Sequence, residues 1–128
     1  MRYSTCSGRS FFIRRSSIMN DSEQDFVALL QEHYDSFSIL QDEDTVFVEH
    51  ALFALRFEIT EEDVFKIHSL KVHSEGSGVG RSIVKLVREY CEETILDEII
   101  AVDVVDTAIT FWEEMGFMEC GSEYSYSV

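Results

Sequence analysis

The segment Ser74-Glu75-Gly76-Ser77-Gly78-Val79-Gly80 sets three glycines at alternate positions between a β-prone run and a helix-patterned run. Glycine adopts positive φ and lets a ligand approach the backbone, so closely spaced glycines after a strand allow successive N–H groups to turn toward one point. The following helix adds unpaired N–H donors and the positive end of its dipole. Together they form an anion site suited to a pyrophosphate. The same segment constrains the fold, because it demands a strand, a glycine turn, a helix and a further strand in succession.

Several ligands fit such a turn. A Walker loop ends in Gly-Lys-Ser/Thr, whereas this turn ends in Gly80-Arg81-Ser82 at a different spacing. A dinucleotide site needs GxGxxG within repeated βαβ units near the start of a chain. Here the spacing is GxGxG, and three antiparallel-looking strands precede it. Spacing alone also leaves open a turn that binds nothing.

The rest of the chain supplies the frame. Phe11–Arg15 reads as a first strand behind a loose leader at Met1–Arg9. Ser22 caps a helix, with Asp25 at the reciprocal position, and Phe26, Leu29, Leu30 and His33/Tyr34 recur at helical spacing. That helix should fade near Asp35–Phe37. Gln41–Asp44 is a polar break. Thr45–Glu49 and the alternating Phe53–Ile59 should pair as a hairpin across His50–Leu52. In the next strand Phe65 and Ile67 share one parity, and Leu70 and Val72 the other. Either a β-bulge near His68-Ser69 reconciles them, or the strand is buried on both faces.

Ile83, Val84, Val87 and Cys91 give the helix after the glycines a buried stripe, with Arg81, Lys85 and Arg88 on another face. Glu98–Val105 should be an interior strand. Asp106 should cap a short helix through Met115, with Gly116 as its left-handed end and Phe117 folding back. Phe117–Cys120 and Tyr124–Val128 should close a hairpin across Gly121-Ser122. The predicted order is β, α, β, β, β, α, β, α, β, β.

Composition narrows the partners. The 128 residues suit one domain, 45% hydrophobic content allows a core, and proline is absent. No apolar run approaches the roughly 18–20 residues that span a membrane. Net charge is −15, and the only charged side chains among residues 1–20 are Arg2, Arg9, Arg14 and Arg15, leaving 6 basic against 25 acidic residues beyond them. Such a body repels phosphate backbones and attracts cations such as amines, although solubility alone explains it equally well. The arginine- and serine-rich start also resembles a transit peptide, but the strand reading is preferred. Cys6, Cys91 and Cys120 show no paired spacing, so reduced thiols and a cytoplasmic protein are expected, with Cys91 in the core.

Two segments resemble the GNAT N-acetyltransferase superfamily. Ile67–Val72 followed by Glu75-Gly76-Ser77-Gly78-Val79-Gly80 is similar to that family's fourth strand and its Arg/Gln-Gly-x-Gly-x-Gly/Ala signature. Ala108-Ile109-Thr110-Phe111-Trp112-Glu113-Glu114-Met115-Gly116-Phe117 is similar to its Ala-x-x-Phe-Tyr-x-x-x-Gly-Phe. With Ile13-Arg14-Arg15 and the first helix, the resemblance covers roughly residues 10–128. It implies a single α/β (α+β) domain, a mixed twisted sheet flanked by helices, with a bulged fourth strand splayed from the fifth to admit acetyl-CoA. It further implies that the backbone of Leu70, Lys71 and Val72 holds the thioester and pantetheine. Gly76, Ser77, Gly78, Val79, Gly80, Arg81 and Ser82 would hold the pyrophosphate, and Phe111 and Trp112 would line the coenzyme. No metal is implied, and a homodimer is common in the family.

The chain departs from the family pattern in three places. Glu75 stands where Arg or Gln is usual, so Arg81, with Lys85, is expected to compensate, while Arg88 reads as a solvated helix face. Trp112 replaces a tyrosine that can protonate the leaving thiolate, and an indole N–H cannot do so. Trp112 is read as packing against the coenzyme or the core, and either another group, with Tyr124 or Tyr126 as candidates, supplies the proton, or the thiolate leaves unaided, or the chain is not a catalyst. Lys66 occupies the position of a frequent glutamate base, which leaves His68, or Glu49 and His50, to take a proton from the amine. The expected activity is acetyl transfer from acetyl-CoA to a cationic primary amine by direct attack. The alternatives are a non-catalytic acyl-CoA-binding module and an acidic protein that binds a basic partner.

Overall fold

The computed structural model describes residues 19–42, 44–74 and 76–128. The expected leader, the expected first strand at Phe11–Arg15 and Glu75 lie outside them. The described chain runs α1 (Asp21–His33), β1 (Ser38–Asp42), β2 (Thr45–Glu49), β3 (Phe53–Ile59), β4 (Val64–Val72), α2 (Val79–Glu92), β5 (Glu98–Ala101), a 3₁₀ turn at Asp106–Ala108, α3 (Ile109–Glu114), β6 (Met118–Cys120) and β7 (Glu123–Ser127). Among these residues no helix is long and apolar enough to cross a membrane.

The cap of α1 lies two residues before the expected Ser22. Asn20 Oδ1 accepts from the Glu23 amide at 2.8 Å, and Glu23 Oε1 accepts from the Asn20 amide at 3.1 Å, closing a capping box. Tertiary contacts select this box. Asn20 donates to the Ile59 carbonyl and Glu23 Oε2 accepts from the Ile59 amide, both at 2.9 Å, so the helix start is bonded to the end of β3. Glu23 is fully buried, which a carboxylate tolerates only with such partners.

One seven-stranded sheet has the order β1-β2-β3-β4-β5-β7-β6, and only β4 and β5 are parallel. β2 and β3 form the expected hairpin, closed by the His50 amide donating to the Phe53 carbonyl at 2.8 Å. β1 was not expected. Its side chains are largely exposed, so no alternation marks it, and it is held by pairing with β2 instead.

The bulge is present. Phe57 pairs with Ile67 and Arg56 with Ser69, so His68 is the extra residue in β4. Leu70 therefore stands opposite Leu55, and Ile67 opposite Phe57, on one face of the sheet. The two parities seen in the sequence become one.

That face carries the core. Phe26 of α1 meets Phe57, Phe65 and Tyr90 edge-on at centroid distances of 5.3, 4.9 and 5.4 Å. Such pairs contribute about 1 kcal/mol each beyond their buried area. Ile83, Val84, Val87 and Cys91 of α2 pack there as their stripe predicts, and Trp112, Met115 and Phe117 extend the same cluster. The opposite face presents Arg56, Glu58, Lys66, His68 and Glu98.

β5 is shorter than the predicted Glu98–Val105. Asp103 takes a positive φ of 52°, which turns the chain out of the sheet although Val102, Val104 and Val105 are all apolar. Asp106 does not cap α3; it opens the 3₁₀ turn, and its carbonyl receives the Ile109 amide. The end of α3 is as predicted. Gly116 has φ +95°, its amide bonds the Glu113 carbonyl, and the Phe117 amide bonds that of Trp112, both at 3.0 Å. This is a Schellman ending, with the Phe117 ring 4.9 Å from Trp112.

Candidate functional site

The parallel pairing of β4 and β5 runs only from Val64–Glu98 to Ile67–Ala101, with one further bond from the Val102 amide to the Ile67 carbonyl at 3.0 Å. Beyond it β4 continues through His68–Val72 paired with β3 alone. No strand among the described residues pairs with that edge on its other side. The β4 edge from His68 to Val72 is therefore left unpaired where β5 turns away, forming a slot in the sheet with the bulge at its start. Peptide groups along such an edge are available to an extended ligand.

The glycine turn follows directly on the end of β4, at the far end of the slot from the bulge. Gly76 and Gly78 have φ of +78° and +81°, and Gly78 opens α2 with its carbonyl accepting from the Ser82 amide at 3.1 Å. α2 has no side-chain cap; the one hydroxyl near its first amides is Ser77 Oγ, 3.5 Å from the Val79 amide. Beyond that long contact at Val79, the first-turn donors are left for an anion. Gly80 meets a different constraint. A β-carbon there would lie 3.3 Å from Val72 Cγ2 and 3.4 Å from Phe111 Cζ. Val72, Gly80 and Phe111 hence converge on the helix side of the slot. Leu70 packs on that side too, while Lys71 is exposed and alternates to the other.

The cations behave differently from expectation. Arg81 is ion-paired to Glu114 and also points Nη1 at Met115 Sδ, 3.7 Å away, so it joins α2 to α3. Lys85 is exposed. Arg88, read as a solvated face, instead bonds the Met115 carbonyl at 3.3 Å and lies 4.5 Å over the Tyr126 ring. Its stem covers apolar surface, and its charge fixes the last turn of α3.

The residues considered for proton transfer are dispersed. His68 stands on the polar face, with Nε2 2.8 Å from Glu58 Oε1. Tyr124 lies in register with Ala101, so it belongs to the helix face, and its ring is buried. The two are not brought together. Burial, followed by the carboxylates of Glu119, Glu113 and Asp106, holds the Tyr124 hydroxyl above the ordinary phenol range. Trp112 is buried between Phe111 and Phe117. His50 is engaged in its hairpin, with Nδ1 accepting from the Leu52 amide at 3.0 Å and its ring stacked on Phe53.

Among the described residues no group of three or more His, Cys, Asp or Glu is placed to hold a metal. Cys91 is free and buried, and burial, then Glu92, pushes its thiol up to about 12, which suits core packing. Cys120 corrects the expectation of reduced thiols, because it is disulfide-bonded.

Glu123 was not singled out by sequence. It begins β7, and its Oε1 is shielded from solvent without a hydrogen-bond partner. Its carboxyl is held above the usual range, first by burial, then by Glu98 and Asp103, against the opposing pull of Lys66 and His68. No motif marks a glutamate after Gly121-Ser122; only the folded hairpin brings it to this face.

No protein-family model matches the chain, and no curated protein matches it. Solved structures do. The E. coli protein YhhK, a candidate N-acetyl transferase solved with coenzyme A bound, superimposes with a TM-score of 0.56 at 19% identity, covering 91% of this chain and 96% of that one. A Klebsiella pneumoniae candidate acyl-CoA N-acyltransferase gives 0.54 at 12% identity over 84% and 90% of the two chains. The GNAT domain of S. lividans PAT gives 0.54 at 12% identity, with 66% of this chain spanning 61% of that one. At such identities the likeness is one of fold. The single mixed domain, a seven-stranded, mostly antiparallel sheet with three helices, agrees with it, and the chain carries the GNAT fold.

Proposed function

We propose that this protein is an acetyl-CoA-dependent N-acetyltransferase that acts on a cationic primary amine. The observation that carries the reading is the open β4 edge from His68 to Val72, ending in an uncapped glycine turn. In this reading the turn Gly76–Ser82 takes the pyrophosphate through its amides. Leu70, Lys71 and Val72 bond the pantetheine through their backbone, and Phe111 walls it on the helix side. Arg81 contributes by releasing Glu114 or by anchoring the turn. Coenzyme A bound to YhhK, and to a Bacillus anthracis streptothricin acetyltransferase candidate solved with acetyl-CoA, supports the same ligand here.

The amine then enters the slot from the polar face. His68, oriented by Glu58, accepts a proton from the ammonium, and the freed nitrogen attacks the thioester carbonyl. The C–N bond forms, the C–S bond breaks, and the second nitrogen proton neutralises the departing thiolate. A backbone N–H of the open β4 edge steadies the oxyanion. Positioning of the two substrates supplies most of the acceleration.

Calorimetry with acetyl-CoA tests the binding half, and thiol release across a library of primary amines tests the transfer. Micromolar binding and acceptor-dependent release with a gain of one acetyl group are expected. Absence of acetyl-CoA binding sinks the proposal. The buried Trp112 and the lysine at position 66 favour a second reading, a module that binds acyl-CoA without turnover. Acceptor-dependent thiol release eliminates it.

A further inference from the structure

The polar face of the sheet holds a group that this mechanism does not use. Lys66, Ile100 and Ser125 lie abreast across β4, β5 and β7, as do Ile67, Ala101 and Tyr124. One step further along, His68 of β4 and Glu123 of β7 flank Val102, at the point where the two central strands part. Alternation puts His68 and Glu123 on the same face as Lys66 and Ser125.

The neighbours of Glu123 are already placed. Ser125 donates to Glu98 Oε2 at 2.8 Å, and His68 is bonded to Glu58 at 2.8 Å. Glu123 Oε1, by contrast, is shielded from water and has no donor. A carboxylate oxygen in that condition costs free energy until a donor reaches it, and a charged donor gains most. Lys66 is close enough to favour its ionised form but makes no hydrogen bond to it. Glu123 as a residue is only partly buried, so its carboxyl can turn to meet a donor that arrives from outside, at the rim of the slot.

We infer that Glu123 is the anchor for the acceptor substrate: its carboxylate receives the ammonium of a small primary amine and holds that nitrogen beside His68 at the start of the β4–β5 slot. This rests on the acetyltransferase reading and adds the residue that selects the acceptor's charge. The bond is made by the ground-state ammonium and persists until His68 removes the proton, so its loss weakens acceptor binding more than it slows the chemical step. A neutral acceptor of equal size gains nothing from it.

The test uses the full chain and Glu123→Gln, with n-butylamine and 1,4-diaminobutane as acceptors at saturating acetyl-CoA. Acetyl-CoA affinity by calorimetry should agree within threefold between the two proteins. The acceptor KM of the variant should rise about tenfold or more, as for loss of a charge-assisted hydrogen bond, with kcat within threefold. Glu123→Asp should recover part of the loss. An unchanged KM, or a fall in kcat with KM intact, overturns the assignment, as does a wild-type protein that binds acetyl-CoA yet acetylates neither amine. Failure to bind acetyl-CoA at all overturns the underlying reading instead. Should Glu123→Gln not fold, carboxyl-carbon NMR of the coenzyme A-bound wild type answers the same question. The Glu123 resonance must move on addition of n-butylammonium, and a static resonance refutes the anchor.

Discussion

Glu123 carries its charge in a place that favours the proton. Burial, Glu98 and Asp103 raise its carboxyl above the usual range, and Lys66 and His68 offset only part of that. The folded protein therefore holds a proton to higher pH than the unfolded chain does. Its contribution to stability is whole below the unfolded value, near 4.3, and is lost as pH rises through the raised folded value. Glu123→Gln removes the titration. The Tm difference, variant minus wild type, should be more positive at pH 7 than at pH 3.5. Paired thermal melts at the two values measure it. A difference that is flat, or larger in acid, contradicts the shielding described for this side chain. Comparing differences matters, because the other carboxylates titrate in both proteins and cancel.

At the scale of elements, the start of α2 separates two requirements for glycine. Gly78 has φ +81° and open space around its missing side chain, whereas Gly80 faces Val72 and Phe111 at 3.3 and 3.4 Å. Gly78→Ala should cost about 1–2 kcal/mol through backbone strain, lowering Tm by roughly 3–8 °C. Gly80→Ala gains about 1 kcal/mol of helix propensity and loses a similar amount to crowding. It should leave Tm within about 2 °C while pushing Phe111 into the slot and weakening acetyl-CoA at least about tenfold. Melting curves and calorimetry on both variants check the pair, and the opposite pattern refutes it.

Local chemistry made several of these elements legible in the sequence. The two glycine sites, the stripe of α2, the parity break at His68 and the Gly116-Phe117 ending each follow from φ, spacing or side-chain type. Other features depend on partners remote in sequence. Asn20 wins the α1 cap from Ser22 through Ile59. β1 exists because β2 pairs with it, and β5 ends early because Asp103 turns. Arg88 looked solvated because nothing in its own helix announces Tyr126 or the Met115 carbonyl. Glu123 was invisible for the same reason: its neighbours come from β4, β5 and the chain beyond β5.

The whole molecule is a sheet of two characters. From β1 to β4 the strands pair in chain order, and β5, β7 and β6 pair in turn on the other side, but between β4 and β5 the pairing stops at Ile67 and Ala101. The β4 peptides beyond that point have β3 on one side and the slot on the other. Their amides that face the slot should exchange with solvent through local opening, without unfolding of the core. A ligand that lies along this edge closes that route. At acetyl-CoA concentrations about a hundredfold above Kd, openings that exclude the ligand become about 2.7 kcal/mol costlier, and exchange slows about a hundredfold. The amides of β1, at the far edge of the sheet, open without disturbing the slot and should keep their rates. Hydrogen exchange with and without acetyl-CoA reads both regions in one experiment. Protection within His68–Val72 and the first turn of α2, with Ser38–Asp42 unchanged, is the pattern that an edge-bound coenzyme produces. Uniform slowing over the whole chain, or protection confined to α3, would place the ligand elsewhere and leave the split in the sheet without the purpose assigned to it.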